Sequence, residues 1–243
     1  MTVLRQPQYA TRAILAAVLS LLLVPTATMP APAGKRLIEF GWDEPDPRFM
    51  RTHLAQLQAS PFDGCVYHVN YRTALGDSGN FTWELWGRRR FTAAELADAD
   101  SNLRATDFGR FRDNFLRVNV TPGDLDWFED HAAVMSNLEL AARLARTGGG
   151  PGILLDVEMY RGALWDYREQ VKRHPRTWAA MCAQVRKRGA QAIRALERGY
   201  PGLTVFTTWA YSLSLDETVG GRVPLEQTRH GLLPAFLDGM LSA

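Results

Sequence analysis

Gly152-Ile153-Leu154-Leu155-Asp156-Val157-Glu158 begins as an unbroken aliphatic run and ends on two carboxylates one residue apart. Aliphatic residues at consecutive rather than alternating positions mark a strand buried on both faces, as in a parallel sheet. The segments on either side support that reading. Before it, residues 126–146 carry an apolar stripe at Val134, Leu138, Ala141 and Leu144, and Gly148-Gly149-Gly150 stops the helix this stripe predicts. After it, a second helix is expected from Trp178 to Arg198, closed by Gly199 and Pro201-Gly202, and Leu203 to Trp209 (LTVFTTW) reads as another strand.

Working outward, the same alternation continues. Leu37 to Trp42 reads as a first strand, followed by the acidic, proline-rich loop Asp43 to Pro47 and a helix from Arg48 to Ala59. Cys65 to Val69 is a second strand, and a long polar loop runs from Asn70 to Arg90. Thr92-Ala93-Ala94-Glu95 has the capping-box spacing, so a helix should start near Ala93. Phe115 to Val120 is a third strand, which makes the opening segment the fourth and Leu203 to Trp209 the fifth; Leu225 to Leu241 predicts a last helix. Strands separated by helices imply an α/β fold with a parallel sheet. A doubly wound sheet usually carries a glycine-rich phosphate loop after an early strand, and here the first strand runs into Trp42-Asp43-Glu44-Pro45-Asp46-Pro47 instead. The expected fold is therefore a (β/α)8 TIM-barrel-like domain over residues 34–243, incomplete at about five βα units and truncated at its C-terminal side.

The first 33 residues read as an address. Arg5 and Arg12 are their only charges, Ala13 to Val24 is a short apolar run, and Ala31-Pro32-Ala33 offers a small-residue cleavage site before Gly34. These are the three parts of a signal peptide. The apolar run falls short of the roughly 20 residues a spanning helix needs. The expectation is a secreted, periplasmic or cell-envelope protein with no stable membrane span after cleavage. The whole chain holds 28 Lys and Arg against 26 Asp and Glu. Cleavage after Ala33 would remove two of the bases and leave a formally neutral domain, which argues against a nucleic-acid partner. Cys65 and Cys182 read as small core residues. No Cys or His spacing signals a metal, and no cofactor is expected.

Chemistry is expected at the carboxyl ends of the strands, where barrels of this kind place their active sites. Side chains alternate along a strand, so Asp156 and Glu158 should share a side. Two close carboxylates cannot both ionise cheaply, and a raised acid beside an ionised partner suits general acid catalysis. The bland alternative is a cap or an ion pair with Arg161 or Arg168. Other strand ends offer Trp42 and Asp43, His68, Asn70 and Tyr71, Asn119, and Trp209 and Tyr211, with Tyr160 just after the two acids. Flat rings, amides and carboxylates suit sugars, whose C–H faces stack while their hydroxyls take hydrogen bonds.

The segment Gly152 to Tyr160 resembles the fourth-strand signature of chitinase-like glycoside hydrolases, in which an aspartate two residues before a glutamate supports it as general acid. The resemblance covers about nine residues, and the family's earlier aspartates are replaced here by Leu154 and a glycine-rich turn. The chain is also similar to uncharacterised exported bacterial barrels related to glycoside hydrolases. The resemblance implies that Glu158 protonates the glycosidic oxygen and Asp156 orients it or a substrate acetamido group. The expected function is a glycoside hydrolase acting on an extracellular carbohydrate. Asp43 and Glu44 are poor candidates for its second carboxylate. The alternative is a barrel that binds carbohydrate, or a cell-envelope partner, without catalysis.

Overall fold

The computed structural model describes residues 34–218 and 221–243. The leader read at residues 1–33 lies outside them. Five strands form one parallel sheet: β1 (Ile38–Glu39), β2 (Gly64–Tyr67), β5 (Phe115–Asn119), β6 (Gly152–Asp156) and β7 (Thr204–Thr207). Between β2 and β5 a separate hairpin pairs β3 (Asn70–Arg72) with β4 (Ser78–Asn80). The sheet order is β1-β2-β5-β6-β7, so the chain steps to a new outer edge at each crossover. A doubly wound sheet reverses direction at a switch point. This one never does, and it curls into a half-barrel.

The nine α-helices among the described residues are α1 (Pro47–Thr52), α2 (Leu54–Ala59), α3 (Phe81–Glu84), α4 (Ala97–Arg104), α5 (Ala132–Thr147), α6 (Tyr167–Arg173), α7 (Trp178–Gly199), α8 (Tyr211–Glu217) and α9 (Leu233–Leu241). Strand alternation sorts the apolar side chains between two faces. Cys65, Tyr67, Leu116, Val118, Ile153, Leu155 and Val157 join the main core with Val134 and Leu138 of α5, Met181 and Val185 of α7 and Phe236 of α9. Val66, Phe115 and Leu154, with Ile38 against them, form a separate small cluster on the concave face. The continuous aliphatic run of β6 is thus explained: both faces are apolar, but only one is covered by helices. Each fully buried aliphatic side chain is worth roughly 1.5–3 kcal/mol.

Gly152 fits the base of this sheet because nothing larger would. A Cβ there would lie 2.0 Å from the Thr204 carbonyl oxygen of β7. At the other end of the core, Trp86, Trp127, Trp165 and Phe236 pack as one aromatic cluster, with Trp127–Trp165 and Trp165–Phe236 ring centroids 5.4 and 5.2 Å apart. Two of its three buried indoles are satisfied, and Trp86 Nε1 has no partner among the described residues. Trp127 donates to the Leu164 carbonyl and Trp165 to the Val157 carbonyl, each at 2.8 Å.

Local chemistry moves several element boundaries. The capping box forms: Thr92 N–H donates to Glu95 Oε2 at 2.8 Å and Glu95 N–H to Thr92 Oγ1 at 3.4 Å. It opens a 3₁₀ turn, Ala94–Leu96, that leads into α4. The helix expected from residue 126 starts at Ala132, because Asp126 and Asp130 accept from the Phe128 and Ala132 N–H groups and hold the preceding residues in turns. The helix expected over Arg48–Ala59 breaks at His53 into α1 and α2, and the α1 N-cap is Asp46, which accepts from Phe49 N–H at 2.7 Å. The polar loop from Asn70 to Arg90 holds the β3–β4 hairpin and α3. The last helix is confined to α9, after a 3₁₀ turn at Leu225–Gln227. Cys65 and Cys182 are both free thiols, one buried and one partly buried against the core. Among the described residues no helix is long and apolar enough to cross a membrane.

Candidate functional site

The concave face changes character along its strands. At its base the Phe115 and Phe206 rings pack 5.8 Å apart beside Val66 and Leu154. Two residues further along β5, on the same face, stands Arg117, and two further again Asn119, which is in register with Asp156 of β6. The polar layer thus begins where the strands end.

Asp156 is completely buried and saturated with donors. Its Oδ2 accepts from Arg117 Nη2, from Asn119 Nδ2 at 3.2 Å and from the Tyr160 hydroxyl at 3.3 Å. Its Oδ1 accepts the Glu158 N–H at 3.0 Å and the Thr208 hydroxyl at 3.3 Å. Arg117 also donates through Nη1 to Glu44 Oε1 at 2.5 Å, so one buried guanidinium joins two carboxylates. The Phe40 and Trp83 rings lie 5.7 Å from it. Burial raises the Glu44 carboxyl above its usual value, outweighing the attraction of Arg117. The Tyr160 phenol is pushed well above its ordinary range, first by burial and then by the Asp156 and Glu158 carboxylates.

Glu158 sits just past the end of β6, half-buried, with its backbone fixed by Asp156. Its Oε1 accepts the Trp209 indole N–H at 3.2 Å, and the Trp209 side chain is 46% exposed. A cavity of about 230 Å³ opens beside them, lined by Glu158, Tyr160, Trp209, Leu213, Arg229 and His230. The Tyr160 ring packs on Trp83 at 4.8 Å on the other side. The arrangement can present one carboxyl group to a ligand against aromatic walls while a second carboxylate holds it from behind.

The residues singled out from the sequence divide. Asp156, Glu158, Asn119, Tyr160 and Trp209 meet at this mouth. His68 is tied to it through the backbone, since its Nδ1 bonds the Glu44 carbonyl at 2.8 Å. Asn70 bonds His68 Nε2 at 3.2 Å and Asp46 Oδ2 at 3.4 Å, and lines a different cleft with Arg48, Arg72 and Asp98. Tyr71 is buried: its hydroxyl donates to Glu84 at 3.2 Å, and the Arg89 guanidinium covers its ring. Tyr211, on α8, donates to Asp238 of α9 at 2.7 Å. Trp42 and Asp43 are exposed on the loop after β1, Trp42 at 85%, so Trp42 is not a core residue. Of the aromatics after Glu158, Trp165 belongs to the core, and Tyr167 packs edge-on against Trp178.

Arg117 is the residue the sequence reading missed. The guanidinium paired with Asp156 belongs to neither Arg161 nor Arg168, and Arg168 is engaged by Asp166 at 2.7 Å. The signal was present: Phe115, Arg117 and Asn119 alternate within a strand whose other positions are aliphatic. Among the described residues no group of three or more His, Cys, Asp or Glu is placed to hold a metal ion. No family model, curated protein or solved structure matches the chain.

Proposed function

We propose that the mouth of the half-barrel is a glycoside hydrolase site, with Glu158 as the general acid. The observation that carries this reading is the division of labour between its two acids. Asp156 has all its capacity taken by five protein donors and serves to position. Glu158 keeps one carboxylate oxygen beyond its bond to Trp209 and borders a cavity. In the reaction Glu158 delivers its proton to the glycosidic oxygen as the bond from that oxygen to the anomeric carbon breaks, a water molecule adds its oxygen to that carbon, and the water's released proton restores the acid. Trp209 and Tyr160 supply faces for the sugar ring. Asp156 acts through the Glu158 backbone rather than on substrate, and Arg117 balances its charge.

Sequential strand order, curl and inward side-chain layers support a finer reading of the fold, in which the five strands are consecutive members of a (β/α)8 barrel. An export leader, as the composition of residues 1–33 suggests, would make an extracellular glycan the natural substrate. The test is turnover of a glycan panel by the protein and by Glu158→Gln; equal turnover in both removes Glu158 from the mechanism. A second reading, binding without catalysis, draws on the half-exposed Trp209. It requires binding that Trp209→Ala weakens and Glu158→Gln leaves intact, with no turnover by either protein.

A further inference from the structure

We propose, building on the glycan reading above, that the cavity beside Glu158 takes a sugar unit bearing an anionic substituent, a carboxylate or a sulfate. Arg229, an exposed residue, lines that cavity, and among the described residues its side chain makes one long hydrogen bond, 3.5 Å from Nη2 to the Met159 carbonyl. No carboxylate among the described residues lies within ion-pair distance of it, whereas the buried Arg117 at the same mouth has two acidic partners. The guanidinium therefore reaches the cavity with most of its donors uncommitted. Its planar fork matches a carboxylate or sulfate in two parallel hydrogen bonds, a geometry that single hydroxyls do not reward as well.

The neighbouring residue fixes this segment. His230 is held twice by Glu217 of α8, through its backbone N–H and through Nδ1, both at 2.8 Å. With Nδ1–H given to that carboxylate, Nε2 is the ring atom left for a ligand. Trp209 offers a half-exposed face and Glu158 a carboxyl group. In the Glu158→Gln protein used for the test below, this position carries no charge to repel an anion. A volume of about 230 Å³ suits one sugar unit, being smaller than the roughly 300 Å³ at which pockets begin to take drug-sized ligands.

Calorimetric titration of the Glu158→Gln protein, which should bind without turnover, tests the inference with three tetrasaccharides: a galacturonate, a chondroitin sulfate and neutral cellotetraose. The expected result is an affinity for at least one of the two anionic ligands about tenfold or more above that for cellotetraose. Adding Arg229→Gln should abolish the preference, weakening anionic binding more than neutral binding. Adding Arg229→Lys, which keeps the charge but not the fork, should retain part of it. A preference for the galacturonate shows that a carboxylate suffices, because the chondroitin sulfate carries carboxylates as well as sulfates. Equal affinity for all three, or a preference that survives Arg229→Gln in folded protein, overturns the proposal. Failure of the hydrolase reading would appear separately, as absent turnover in the parent protein whatever the binding preference.

Discussion

Arg117 and Asp156 form an ion pair in the middle of the concave face with neither side chain accessible beyond 6%. The pair crosses from β5 to β6, and Glu44, from the loop after β1, joins it on the other side of the guanidinium. A buried pair of this kind contributes modestly to net stability, yet removing one partner leaves the other charged, desolvated and alone.

Arg117→Met strands two carboxylates at once. The expected loss is at least about 3–5 kcal/mol, the usual cost of breaking a buried pair. Urea denaturation measures it. Replacing Glu44 and Asp156 as well, by Gln and Asn, should recover part of that loss, because no uncompensated charge remains. A loss below about 1 kcal/mol for Arg117→Met would mean that water reaches the network.

Glu44 makes stability depend on pH with a definite sign. Its folded carboxyl titrates above the ordinary value, so the folded state holds this proton more tightly than the unfolded chain does. The contribution is fully present below the unfolded value and is lost as pH rises through the raised one. Glu44→Gln keeps an acceptor for Arg117 and removes the titration. The stability of the variant relative to the parent should therefore climb as pH rises from 4.5, the ordinary value, and then level off. Denaturation midpoints across that range decide it, and a flat difference would show that Glu44 titrates alike in both states.

Trp165→Phe keeps the aromatic packing but removes the donor to the Val157 carbonyl, the peptide oxygen between the two acids of the site. A buried carbonyl left unsatisfied costs about 1–3 kcal/mol. The same variant should lower glycan turnover through kcat more than KM, because the Asp156–Glu158 segment loses an anchor. An unchanged kcat would confine Trp165 to the core.

Gly152→Ala pushes a methyl group against the Thr204 carbonyl, where a Cβ would stand at 2.0 Å. Backbone cannot rotate away as a side chain can, so β6 and β7 must separate. The expected destabilisation is about 1–3 kcal/mol or more. Amide exchange should quicken in β7 before β5, since both pair with β6 at Gly152 but the atoms nearest the added methyl all belong to Thr204 of β7. Uniform exchange across the sheet would count against local separation.

The alternation of elements, the parallel sheet and the existence of β6 were legible in the chain, because aliphatic runs, glycine stops and the Thr92–Glu95 box act over a few residues. The nearness of Asp156 and Glu158 was legible for the same reason. The element ends were less so: Asp126, Asp130 and Asp46 redirect the chain through single side-chain hydrogen bonds that no apolar period reveals. What only the tertiary structure decided is which partner each charge finds. Arg117 lies 39 positions from Asp156 and 73 from Glu44 along the chain. They meet because parallel pairing sets Asn119 opposite Asp156 and so brings Arg117, on the same face, alongside. The same packing drew Trp86 and Trp165 into the core and left Trp209 half in solvent at the rim. Local sequence carries propensity and periodicity, whereas ion pairing and burial depend on distances that exist only once the strands are side by side.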